Sequence, residues 1–404
     1  MSPPNILWLV TTQWRAMAAG YAGDANARTP CLDRFAREAV NFSQAVTPHP
    51  FGPFARAAML TGTPSPANGV RDYFDPLPEE TRTIAHALGE RGYATAFFGK
   101  WHLAERDRGA ALVGEPHARQ VVPPGRRGGF GLWEGFESGF LLNDPWLHGS
   151  RLPEPRRFPG YQADVLCARA AEWIGESGGN SAAPWFCVVS LEAPHPPYDA
   201  PAAGIAARDP RDIVLPANVP RGGDAEAKAR RELAGYYAHI AATDRALGRL
   251  LDRPEVKAGK TAVVFTSVHG DMHGAHGLFR KGWPHEESVR VPLLVRAAPV
   301  PAAAESAAVS LLDLPAWAQA WAEGVAPAAP APAALISMPG VVALPHQCDR
   351  PWRGLRTPRR KLVLQEDGRP WLFFDLERDP LEMTNLAGEP ARAAEIAQLA
   401  RSIP

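Results

Sequence analysis

The sequence predicts an α/β protein built on a mainly parallel central sheet, and three observations carry that reading. Apolar runs of strand length, 5–10 and 263–265 among them, stop at polar loops. Segments with helical spacing alternate with those runs. The loops at the run ends hold the residues capable of chemistry, including His269, His273 and His276 within eight residues. Buried parallel strands deliver side chains to the carboxyl edge of a sheet in this way.

Composition narrows the function classes. The 404 residues, 46% of them hydrophobic, suffice for one large core and a smaller appendage. Formal net charge is zero and no long Lys/Arg block occurs, which argues against a nucleic-acid partner. Cys31, Cys167, Cys187 and Cys348 lie far apart, without metal or disulfide spacing, and read as reduced thiols. Residues 1–5 lack a signal-peptide pattern and no stretch has the length of a membrane span, so a cytoplasmic protein without a membrane partner is expected. A homo-oligomer is compatible with all of this.

In chain order, the first strand (5–10) runs into Thr11-Thr12-Gln13-Trp14-Arg15. Thr29 and Pro30 predict the cap and first turn of a helix with Leu32, Phe35 and Ala36 on one face. A stretch Pro50-Phe51-Gly52-Pro53-Phe54-Ala55-Arg56 precedes Leu60-Thr61-Gly62. A helix over 83–92 ends on Arg91-Gly92, and a strand over 93–98 leads to Gly99-Lys100-Trp101-His102. Lys100 and His102, two apart, would share one side of an extended segment.

Residues 105–160 read as a loop-rich insertion, with Trp133, Phe136, Trp146 and His148 as candidate pocket-roof residues. A helix (161–175) and a strand (185–191) follow, delivering Glu192-Ala193-Pro194-His195-Pro196-Pro197, with His195 stiffened in an extended loop. The helix over 225–251 places Tyr236, Ile240, Thr243, Leu247 and Leu250 in one core stripe. The strand at 263 then opens onto Val268-His269-Gly270-Asp271-Met272-His273-Gly274-Ala275-His276 and Lys281. Pro/Ala alternation marks 326–344 as a linker between a main domain (1–325) and a C-terminal subdomain (345–404).

Several of these stretches resemble the sulfatase family of the alkaline phosphatase superfamily, including arylsulfatases and phosphonate monoester hydrolases. The segment 265–277 is close to F-T-S-D-H-G-D-M-x-G-D-H-G, 99–102 matches G-K-W-H, and 194–197 matches P-H-x-P. The resemblance implies an alkaline phosphatase-like three-layer sandwich with a small C-terminal α+β subdomain, an antiparallel sheet closed by a helix at 389–403. It implies that Arg56, Lys100, His102, His195, His276 and Lys281 occupy active-site positions, and Gln13 and His269 metal-site positions. The family pattern is broken at defined places. Gly52 stands at the position of the cysteine that is oxidised to formylglycine, with Phe54 and Ala55 replacing its modification signal. Thr12 and Val268 stand where metal-ligating aspartates are expected, and Ala275 replaces a further aspartate. The calcium-class cation of the family would thus lose most of its oxygen ligands, so no cofactor is expected.

The first expectation is a degenerate sulfatase-fold protein that binds a small anion (sulfate, phosphate, phosphonate or carboxylate) in a cationic cleft. Two alternatives stay open: a recruited enzyme using histidine, lysine and arginine for elimination, isomerisation or cyclisation, and a residual ester hydrolase. The spacing of His269, His273 and His276 also leaves a different metal site open.

Overall fold

The computed structural model describes residues 3–180, 183–257, 259–299, 307–342 and 344–404. Met1 and Ser2 of the N-terminal reading, and Ala343 of the expected linker, lie outside them. Among the described residues one sheet holds β1 (Asn5–Thr11), β2 (Val40–Asn41), β3 (Ala94–Lys100), β4 (Leu132–Phe136), β5 (Trp146–Gly149), β6 (Arg156–Arg157), β7 (Trp185–Ser190), β8 (Thr261–Ser267) and β9 (Leu293–Arg296). Their spatial order is β2-β9-β8-β1-β7-β3-β4-β5-β6. From β8 to β4 the neighbours are parallel, and antiparallel pairs extend both sides.

The central strands read as unbroken apolar runs because both faces are covered. Along β1, Ile6, Trp8 and Val10 enter one core while Leu7 and Leu9 enter the other. The second of these cores is closed by α1 (Pro30–Ala36) and the helices Gln162–Asn180 and Asp224–Leu251, through Leu32, Leu166 and Leu247. The first is closed by α2 (Gly52–Thr61), α3 (Ile84–Glu90) and the helix Leu314–Glu323, through Phe54, Leu88 and Trp317. The predicted stripe from Tyr236 to Leu250 is buried throughout. Thr83 caps α3, accepting from the Ala85 N–H at 3.1 Å. Thr29 does not cap α1, because its hydroxyl is taken up by Asp33 (2.8 Å) and the Gly20 N–H (2.8 Å).

The loop-rich stretch 105–160 also carries β4 to β6, which extend the main sheet. Trp133, Phe136 and His148 are buried packing residues and not a pocket roof: Trp133 lies against Phe97 and Trp101, and His148 against Trp133. A second, antiparallel sheet comprises β10 (Ala334–Met338), β11 (Trp352–Arg356), β12 (Arg360–Gln365) and β13 (Pro370–Asp375). It starts inside the stretch expected as linker, since β10 pairs with β11. The closing helix spans Ala393–Ala400 and seats Ile396 against Leu362 and Phe373. Among the described residues no helix is long and apolar enough to cross a membrane.

Candidate active site

The carboxyl ends of β1, β8, β7 and β3 and the start of α2 converge on one buried cluster. Arg56, one turn into α2, ties three of these ends together. Its Nη2 donates to Thr12 Oγ1 (2.8 Å), and its Nη1 donates to Ser190 Oγ (2.6 Å) and to the Lys100 carbonyl (3.1 Å). Lys100, the last residue of β3, turns its ammonium to Glu192 Oε1 at 2.6 Å, both side chains being buried. Burial lowers Lys100 to about 8, with Glu192 opposing that shift and Arg56 adding to it.

Lys281 forms the second half of the cluster. Its ammonium donates to Gln13 Oε1 (2.5 Å) and meets His195 Nε2 at 3.1 Å. The His195 Nδ1 lies 2.7 Å from the Pro196 carbonyl, which assigns the ring proton to Nδ1 and leaves Nε2 as the acceptor for Lys281. Burial first, then repulsion from Lys100, brings Lys281 down to about 7. The Gln13 amide donates to Asp271 Oδ2, which also accepts from the Tyr198 hydroxyl (2.9 Å). Burial opposes ionisation of Asp271, but His273, Arg280 and its hydrogen-bond donors outweigh it and hold the carboxyl below the usual range.

Among the described residues His102 has no hydrogen-bond partner on either ring nitrogen although it is buried. Its ring meets Tyr73 edge-on at 5.5 Å, and a Cβ placed on Gly52 would stand 3.0 Å from its Nδ1. Burial, followed by Arg106, Lys100 and Arg56, holds it well below the usual histidine range, so it is neutral at pH 7. His269 Nδ1 lies 2.9 Å from the Gly270 carbonyl, while its Nε2 has no partner among the described residues. Phe140 closes the cluster from above, stacked on His195 at 4.5 Å with the Lys100 ammonium 4.6 Å from its ring centre.

Local backbone geometry changes two expectations. Lys100 and His102 line the same cluster, but not as alternate residues of an extended segment: His102 adopts φ of 59°, in the left-handed region. His195 sits in a turn closed by its own N–H on the Glu192 carbonyl (3.1 Å), not in an extended loop. Gln13, with φ of 68°, is a second site residue in the left-handed region. Such conformations persist where the surroundings hold them.

His276 is placed differently. Its partners among the described residues are Asn218 and the His285 ring, which lies against it at 4.5 Å, tilted by 30°. His273 packs against Tyr198 and Tyr236, away from His276. Among the described residues no cluster of three or more His, Cys, Asp or Glu is placed to hold a metal ion. Val268 lies in the apolar core beside β1, its N–H on the Thr11 carbonyl.

Buried acids border the expected cationic cleft. Glu192 pairs with Lys100; Glu137 pairs with Arg106 at 3.4 Å, and Asp271 faces Arg280 at 3.8 Å. Burial pushes Glu137 up to about 7, against Arg106 and the backbone N–H groups of Ala104 and Leu103. Arg56 and Lys281 are left as cations without an ion-paired carboxylate among the described residues. Glu192 and Asp271 were visible as letters beside family motifs; their partners come from distant strands, which no local pattern reveals.

Known proteins share this architecture. A phosphonate monoester hydrolase of Agrobacterium radiobacter superposes with a TM-score of 0.73 at 23% identity, covering 99% of this chain and 94% of that one. A structure solved with its substrate D-glucosamine-2-N,6-O-disulfate gives 0.75 at 21% identity, with 99% and 97% covered. An ulvan-active sulfatase of Formosa agariphila is 37% identical over 300 residues, 72% of this chain but 56% of that protein, so the chain spans little more than half of that relative. The family model described as Sulfatase matches residues 4–325. From that match, and from the α/β sheet that gathers Arg56, Lys100, His195 and Lys281 at its carboxyl edge, the chain belongs to the sulfatase family of the alkaline phosphatase superfamily.

Proposed function

We propose that this chain binds a small molecule bearing sulfate, phosphate, phosphonate or carboxylate at the strand edge, and does not cleave sulfate esters by the formylglycine route. The observation that carries this reading is on α2: Gly52 offers no side chain to oxidise or to attack with, while Arg56 on the same helix still reaches the site. Unpartnered buried polar atoms support a ligand. Arg56 Nε, both nitrogens of His102 and His269 Nε2 lack partners among the described residues, and each such group costs about 1–3 kcal/mol until it is satisfied. The two relatives that act on or hold sulfated carbohydrate make a sulfated sugar the first ligand to try.

The test is thermal unfolding with inorganic sulfate, phosphate, methylphosphonate, acetate and glucosamine 6-sulfate, beside release of nitrophenol from 4-nitrophenyl sulfate. A raised melting temperature with at least one anion, and no release, is expected. Release of nitrophenol by the unaltered chain would overturn the reading, as would indifference to every anion.

His102 favours a second reading, a recruited metal-independent enzyme. A neutral imidazole with both nitrogens free is equipped as a general base, and Lys100 at about 8 can donate a proton near neutral pH. If a substrate screen finds turnover, His102→Ala should abolish it.

A further inference from the structure

The divalent cation implied by the family does not fit the donors present. A hard cation of the calcium class takes six to eight oxygen ligands, carboxylates prominent among them. Here Thr12 Oγ1 accepts from Arg56 and itself donates to the Leu191 carbonyl at 2.8 Å. Gln13 Oε1 is taken by the Lys281 ammonium, and Val268 supplies only hydrocarbon. Asp271 is occupied on both oxygens, Oδ1 by the N–H groups of His273 and Arg280 (3.0 Å each) and Oδ2 by Gln13 and Tyr198.

The groups that occupy Thr12 and Gln13 are themselves cations. Arg56 rests on Thr12, and Lys281 is held by two neutral acceptors, Gln13 Oε1 and His195 Nε2. An ammonium has three protons, so one N–H of Lys281 remains for a ligand, as does Nε of Arg56. Neither cation makes an ion pair with a carboxylate among the described residues, although Glu192 and Glu137 act on Arg56, and Asp271 and Glu192 on Lys281, from a distance. A bound anion would supply the counter-charge that burial otherwise makes costly.

We infer that Lys281 and Arg56 stand in for the metal, and that the site captures a sulfate or phosphate group with side-chain cations alone. This rests on the anion-binding reading above. Gln13 and His195 thereby become positioning residues for Lys281.

Calorimetric titration separates the two. Inorganic sulfate and phosphate are titrated into the full chain in EDTA and again in 1 mM calcium chloride, and calcium chloride is titrated alone. The expected result is one dissociation constant in both buffers, within about twofold, and no heat from calcium. Calcium-dependent anion binding, or tight calcium binding by the chain itself, would overturn the inference while leaving the anion reading intact; silence of both anions in both buffers would end both. Lys281→Met should weaken metal-free anion binding at least tenfold. Gln13→Glu, which gives Lys281 a buried carboxylate partner, should weaken it similarly while the fold, checked by circular dichroism, is kept. Unchanged affinity in both variants would also overturn the inference.

Discussion

Gly52 and His102 face each other across the end of the sheet, so closely that a Cβ on Gly52 would stand 3.0 Å from the His102 Nδ1. That spacing is tighter than ordinary contact, and the ring has Tyr73 edge-on against it. Gly52→Ala should therefore displace the imidazole slightly and cost about 1–3 kcal/mol, the usual penalty of overpacking, seen as a lower urea midpoint. Gly52→Cys should crowd the ring similarly and still release no nitrophenol from 4-nitrophenyl sulfate, even with a maturation enzyme co-expressed, if Phe54 and Ala55 replace the modification signal as the family resemblance implies. Turnover by that variant would show that the rest of the hydrolytic site is intact.

Anion affinity should fall as pH rises. Lys281 and Lys100 sit at about 7 and about 8, both depressed by burial, with Glu192 ion-paired to Lys100 and Arg56 adjoining it. An anion binds the protonated amines, so between pH 6 and pH 8 loss of the Lys281 proton should weaken sulfate binding about tenfold. The ligand-free protein responds with the opposite sign. These lysines lose their protons in the folded state near 7 to 8, whereas the unfolded chain keeps them to about 10.4. The unfolded state thus holds more protons in that window, and this contribution to stability rises with pH from about 7 to 10. Sulfate calorimetry at stepped pH checks the first statement; urea titrations without ligand check the second. Flat affinity across the range would mean that neither amine meets the anion.

The central sheet was legible because strands buried on both faces leave continuous apolar runs, as β1 and β8 do. Arg56, Lys100, His195 and Lys281 were legible through motifs, and the fold brings them together. Their acids were not. Lys100 finds Glu192 at a separation of 92 residues, and Gln13 finds Asp271 at 258, contacts set by strand order alone. His276 was drawn into the predicted site by its place in the family motif, yet the chain turns through φ of 55° there and sets its ring against His285. Composition likewise could not distinguish Trp133 in a core from Trp133 in a roof, since an aromatic side chain suits both.

The Lys100 and Glu192 pair offers a separable test. Glu192→Gln strands a buried ammonium and should cost about 3–5 kcal/mol, as breaking a buried pair from one side does. Adding Lys100→Met should recover most of that loss, because an apolar side chain of similar length needs no counter-charge. Urea midpoints for both single variants and the double variant close the cycle. Additive losses would show that the two residues do not act as a pair, despite the 2.6 Å between them.

The C-terminal sheet is bolted to the main body by Lys361 on β12, whose ammonium lies 2.7 Å from both Glu286 and Glu382 with all three side chains buried. Arg356 of β11 adds a contact to Glu286 at 3.0 Å. Burial raises Glu382 to about 7 even against Lys361, and the neighbouring Glu286 and Glu287 raise it further. Relative to an unfolded glutamate near 4.3, the folded state therefore holds an extra proton between about 4.3 and 7, and this group's contribution to stability falls as pH climbs through that window. Lys361→Met removes the cation that two acids share, while Arg356 continues to serve Glu286 alone. The variant should lose about 3–5 kcal/mol and lose more at pH 8 than at pH 5, where Glu382 is protonated without help. Amide exchange should quicken first along β12 and β13. Equal loss at both pH values would mean that Glu382 is not the acid that Lys361 neutralises.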